Sequence, residues 1–202
     1  MDEFTGGAGN DTFKASDTTL TALDALDGGD GMDVLTMNDT AGGSVVPGGV
    51  SISNIETITW RSAGEVGDVT GGNALDTTTV TGLATLNVTM GSDALVEAAA
   101  TTNVNVSGLT GEITLDGGNN VTVTDATADK DITVGGTTEA AGTTSVTDSK
   151  QGTGNIAVTA DAGDVTITAS AQASTGADAK IDVVGGADVT IDATGTKNED
   201  TG

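Results

Sequence analysis

The chain runs to 202 residues with 30 acidic and six basic side chains, a net charge of −24, and contains neither cysteine nor histidine. That balance works against binding to nucleic acid or an anionic membrane and makes metal cations the natural partners. Disulfides, thiolate metal sites, the usual zinc ligands and the usual general base near neutral pH are all excluded, so the expectation is a protein that is not an enzyme.

The chain opens Met1-Asp2-Glu3-Phe4, without the basic and apolar regions of a signal peptide, and closes on Lys197-Asn198-Glu199-Asp200-Thr201-Gly202. Met1 reads as an expression start ahead of an interior segment, and both ends are expected to be cuts from a longer protein. No apolar run is long enough to span a membrane, so direct membrane insertion is not expected.

Next come two copies of one pattern. Gly6-Gly7-Ala8-Gly9-Asn10-Asp11-Thr12-Phe13-Lys14 fits the nonapeptide G-G-x-G-x-D-x-U-x, in which U is a large apolar residue, and Gly28-Gly29-Asp30-Gly31-Met32-Asp33-Val34-Leu35-Thr36 fits it again. Each position has a physical reason. Glycine permits positive φ, which lets backbone carbonyls converge, and the aspartate supplies a hard anionic oxygen. Phe13 or Leu35 then turns inward and begins a strand. Calcium takes six to eight oxygen ligands and needs no nitrogen or sulfur, so Ca2+ is the expected cofactor. The candidate metal residues are Gly7, Gly9, Asn10, Asp11, Asp24, Asp27, Gly29, Asp30, Gly31, Asp33 and Glu56, with Asp17 and Asp39 close by in sequence. The competing role for each aspartate is stabilisation of its own turn.

Residues 1–75 are read as the calcium-binding region and 76–202 as continuing solenoid repeats, because texture changes there from glycine and aspartate clusters to short β-branched strands. In the second zone apolar-polar-apolar triplets recur: Val104-Asn105-Val106, Ile113-Thr114-Leu115, Val121-Thr122-Val123, Ile132-Thr133-Val134, Ile156-Ala157-Val158, Val165-Thr166-Ile167, Ile181-Asp182-Val183 and Val189-Thr190-Ile191. Alternation of this kind buries one face of a strand. Steps of eight or nine residues between triplet starts predict a coil of roughly 17–18 residues, as in a nonapeptide solenoid. Gly, Asn and Asp pairs such as Gly117-Gly118-Asn119-Asn120 make the turns. Longer gaps, Thr137 to Thr144 and Ser170 to Ala179, predict loops bulging from one face.

The only aromatic residues are Phe4, Phe13 and Trp60, so the core must come from Val, Ile, Leu, Ala and Thr methyls, which suits a thin stack of sheets. The predicted fold class is therefore all-β, a parallel β-solenoid with calcium-binding Gly/Asp turns. An antiparallel sandwich is the competing architecture, although it calls for bulkier side chains between its sheets. Only Thr18–Leu26 and Asp93–Ala100 tolerate helix. Trp60 beside Arg61 is read first as a core-capping tryptophan and second as a contact site.

The nonapeptides resemble those of the RTX family, secreted proteins whose stacked turns sandwich calcium in a parallel β-roll. The order Gly9–Phe13, Ala25–Leu35 and Val50–Ile58 is similar to that in RTX-containing surface-layer proteins of Caulobacter type. In that family the repeats follow one another directly, whereas here other sequence separates the copy that begins at Gly6 from the copy that begins at Gly28. The resemblance implies type I export to the surface of a Gram-negative cell and calcium-dependent assembly. The function expected is that of a structural, calcium-stabilised segment of a secreted surface-layer or biofilm-matrix protein that self-associates into a lattice or fibre. A stalk or binding module of an RTX-type adhesin is the alternative.

Overall fold

The computed structural model describes residues 1–172 and 179–195. The described strands come in pairs, one pair to each coil. They are β1 (Glu3–Ala8) with β2 (Thr12–Ser16), β3 (Ala25–Asp30) with β4 (Val34–Asp39), β5 (Ser51–Ser53) with β6 (Thr57–Ser62), and β7 (Leu75–Asp76) with β8 (Thr85–Met90). The climb continues through β9 (Ala94–Ala98) with β10 (Asn103–Ser107), β11 (Ile113–Gly117) with β12 (Val121–Asp125), and β13 (Ile132–Val134) with β14 (Thr144–Asp148). It ends with β15 (Ile156–Ala160) and β16 (Val165–Gln172), then β17 (Ile181–Gly185) and β18 (Val189–Gly195).

The even-numbered strands form one nine-stranded sheet, and the odd-numbered strands form the opposite wall as sheets of three and six. Every pairing between named strands is parallel, so the protein is an all-β parallel solenoid rather than an antiparallel sandwich. Parallel neighbours need a crossover, and here the facing strand of the same coil supplies it. The two segments that tolerate helix form strand and turn instead: β3 takes Ala25 and Leu26, and β9 takes Ala94–Ala98. Among the described residues no helix is long and apolar enough to cross a membrane.

Register makes the core. On the large sheet Leu35, Ile58, Leu86, Val104, Val121, Thr144 and Val165 stack in one inward column, and Met37, Trp60, Val88, Val106, Val123, Val146 and Ile167 stack in the next. Ile113, Ile132 and Ile156 face them from the other wall, beside Leu115, Val134 and Val158. These side chains are almost wholly buried. Each Val, Leu, Ile or Met among them contributes about 1.5–3 kcal/mol on burial, which is an upper bound because the unfolded chain is already partly collapsed. Trp60 is 1 % exposed and lies in this column between Met37 and Val88, so it is a core residue and not a contact platform.

All eight triplets lie within strands, but the coils are not of the uniform length that the triplet spacing predicts. Val104 pairs with Val121, an offset of 121 − 104 = 17, whereas Thr57 pairs with Thr85, an offset of 85 − 57 = 28. The spare residues leave at the edges, as between β5 and β8, while strand register is kept by the buried columns. Residues 135–143 form the loop expected between Thr137 and Thr144. Of the second expected loop, Ser170 belongs to β16 and residues 173–178 lie outside the described residues.

Candidate functional site

The two nonapeptides stack directly, with Gly7 opposite Gly29 and Phe13 opposite Leu35. Their separation in sequence is thus one full coil, and the two turns lie one above the other on the same edge of the solenoid. Gly7, Gly9, Gly29 and Gly31 all adopt positive φ (122°, 130°, 91° and 137°), a region that disfavours any residue bearing a β-carbon. The backbone is also close-packed between coils. A β-carbon on Gly28 would collide with the Asn54 carbonyl oxygen, and one on Gly6 would collide with the Gly28 carbonyl oxygen.

Immediately before β2, β4 and β6 the chain carries Asp11, Asp33 and Glu56, which the register brings into one column. Asp33 and Glu56 each accept the amide of the acid one coil below: Asp11 N–H donates to Asp33 Oδ1 at 2.7 Å, and Asp33 N–H donates to Glu56 Oε2 at 2.7 Å. Asn10 joins through its Oδ1, which accepts the Met32 amide at 3.0 Å. The second oxygen of Asp33 has no such use. Asp33 is fully buried, and its Oδ2 lacks a hydrogen-bond partner where it faces the bare Cα of Gly28 beside the Asn54 carbonyl. The coil below repeats the arrangement, with Asp11 Oδ2 and the Gly28 carbonyl over Gly6.

An orphaned buried carboxylate oxygen and a carbonyl oxygen brought close to it over a bare glycine Cα are hard oxygen donors, which fit a calcium ion better than any softer metal. Among the described residues no three acidic side chains converge on one point, so carbonyls and water would have to supply the rest of the shell.

The remaining candidates are placed elsewhere or otherwise engaged. Asp24 precedes β3, at the opposite edge from Asp33, and its carboxylate accepts the amide and hydroxyl of Thr21 and the amide of Asp2. Those bonds, the Thr21 amide foremost, hold its carboxyl below the usual value. Asp27 Oδ1 accepts from the Asn54 side chain at 2.8 Å and from the Gly29 amide at 3.2 Å. The exposed Asp30 contributes its carbonyl to Gly9 N–H. Asp17 and Asp39 also serve backbone and hydroxyl donors, Asp17 on Thr40 and Asp39 on Gly42, Ser44 and Ser62.

A wider use of the acids follows from these bonds. Asp93 accepts the Glu112 amide, Asp116 the Thr137 amide, Asp129 the Thr153 amide and Asp131 the Asn155 amide, each partner one coil further on. These carboxylates pin neighbouring coils together at the turns, beside backbone bonds such as Gly111 N–H to the Ser92 carbonyl and Gly117 N–H to the Thr138 carbonyl. Nothing local in the sequence marks them, because the partner lies 19 to 24 residues away at a distance set by loop length.

No protein-family model matches the chain, and no curated protein is detectably similar to it.

Proposed function

We propose that this chain is a calcium-stabilised structural segment of a secreted bacterial surface-layer or extracellular-matrix protein, and that it associates with copies of itself. One observation carries the calcium part: two glycine-shaped turns stack one coil apart, and Asp33 Oδ2 is buried against Gly28 without a partner. Asp11 and Asp33 would hold the ion, with the carbonyls of Gly28 and Asn54 beside them. When bound it supplies positive charge to a chain of net charge −24 and ties the second coil to its neighbours. A slender repeat scaffold, each coil bearing on the next, suits a structural role. Association is supported by β2 and β18, which among the described strands lie at the two edges of the large sheet, and by the exposed Val184, Val189 and Ile191.

Extracellular calcium modules bind with constants of about 10⁻⁴–10⁻³ M, so a tenfold excess adds about 1.4 kcal/mol per site. Thermal melting of chelator-treated protein is expected to rise with calcium, with amides in residues 5–40 gaining protection first. Identical melts with and without the ion would remove it from the account. Sedimentation across the same calcium series is expected to show association, and a monomer at every concentration would remove the assembly part.

A further inference from the structure

Three strands of the large sheet end on a buried, inward-facing aspartate: Asp39 on β4, Asp125 on β12 and Asp148 on β14. The next strand places Ser62 opposite Asp39. Asp39 is then fully served, by the amides of Gly42 and Ser44 at 2.9 and 3.0 Å and the hydroxyls of Ser44 and Ser62 at 2.9 and 3.1 Å.

Opposite Asp125 the register places not a donor but a second acceptor, Asp148. Asp125 Oδ1 takes the amides of Ala126 and Thr127, and Asp148 Oδ1 takes the amide of Lys150. Oδ2 of both residues is buried without a hydrogen-bond partner. The two side chains are 3 % and 1 % exposed and leave paired strands about 4.8 Å apart on the same face, so the two orphaned carboxylates are direct neighbours. Beyond Asp148 the next strand offers only Ala169, which gives room and no donor. Among the described residues the ion pairs are Met1 with Asp24 and Lys180 with Asp182, so no cationic side chain answers either carboxylate, and the Lys150 side chain is exposed. Two buried like charges without a counter-charge are strongly unfavourable.

We infer that Asp125 and Asp148 are paired ligands of a hard divalent cation, of which Ca2+ is the representative, held inside the solenoid at the end of β12 and β14. The site is separate from the glycine turns around Asp11 and Asp33 and does not depend on them. A divalent ion balances both charges at once, where a single shared proton leaves one uncompensated, and both free oxygens are the hard donors such an ion takes.

The test uses the full chain, freed of metal, with Ca2+ alone as the probe. Asp148→Ser recreates opposite Asp125 the serine that Ser62 presents to Asp39, so it should fold with a hydroxyl donor in place of the second carboxylate. Asp148→Asn is the isosteric control. Equilibrium dialysis is expected to show both variants binding one ion fewer than the parent, while Asp33→Asn keeps this ion. Hydrogen exchange of amides 125–150 should slow at least tenfold with calcium in the parent and in Asp33→Asn, and in neither Asp148 variant. An ion count unchanged by both Asp148 substitutions overturns the inference. So does calcium-independent exchange of that segment with Asp148→Asn no more stable than the parent at neutral pH, which identifies a shared proton. Failure of the glycine-turn reading shows separately, as an ion count that Asp33→Asn leaves unaltered.

Discussion

In β1 every residue is exposed, whereas in β12 Val121, Val123 and Asp125 are buried and alternate with exposed Thr122 and Thr124. Both are parallel strands in register with a neighbour, so pairing does not make the difference. An inward side chain at β12 is covered from below by β10, from above by β14 and from the facing wall. Phe4 on β1 has a coil on one side only and stays 51 % exposed. The last described coil repeats the pattern, with β18 exposed throughout. Burial here is therefore a property of stacking, shared between neighbours, as in other quasi-one-dimensional repeats.

Truncating one apolar side chain in each region gives the largest expected contrast. Ile132 is fully buried and stacked between Ile113 and Ile156, so Ile132→Ala should cost about 2–5 kcal/mol through lost transfer energy and the cavity left behind. Phe4→Ala removes more atoms from a half-exposed position and should cost about 1 kcal/mol. Urea unfolding of both variants in metal-free buffer measures the two costs. Equal losses would mean that the first coil is covered by something beyond its own neighbours, for instance a second copy of the chain.

The same contrast decides what could be read from the sequence. Interior strands were legible because Val and Ile alternate with Thr and Asn, a period that only a half-buried strand explains. Strand β14 escaped the triplet pattern because Thr144 fills the inward position that Val121 and Val165 hold in its neighbours. Strands β1 and β3 are glycine-rich and carry little alternation, so the motif, not periodicity, marked them. At the candidate site, the motif marked Asp11 and Asp33 as turn residues, but their stacking one coil apart, in one column with Glu56, is visible only in the strand register. Asp24, by contrast, is close to Asp27 in sequence yet belongs to the other edge, a separation that appears once the chain has turned. The carboxylate clamps, and the pairing of Asp125 with Asp148, depend on coil lengths that change from one level of the stack to the next. No local pattern could carry them.

Acid should separate the two regions by a smaller margin, and it does so through the sign of each carboxylate's shift. Asp17 is held below its ordinary value of 3.8 by the amide and then the hydroxyl of Thr40, and Asp24 by the amides of Thr21 and Asp2. A depressed folded-state value means that the unfolded chain takes up its proton first. The stabilisation is whole above 3.8 and is lost as pH falls through the folded-state values. In the interior Asp129 behaves alike through Thr153, but Asp148 has the opposite sign. Burial foremost, and then the Asp125 carboxylate facing it, raise Asp148 against the pull of the Lys150 amide. The cost of its charge is full above that raised value and falls away as pH drops towards 3.8, which offsets part of the interior's loss. In metal-free protein taken from pH 6 to pH 3, amide exchange corrected for intrinsic rates should therefore accelerate in residues 12–30 at a higher pH than in residues 121–148. Asp148→Asn should erase the interval between them, because asparagine carries no charge to relieve. Loosening of both segments at one pH in the parent would show that the carboxylate clamps, not the position in the stack, set the stability of every coil.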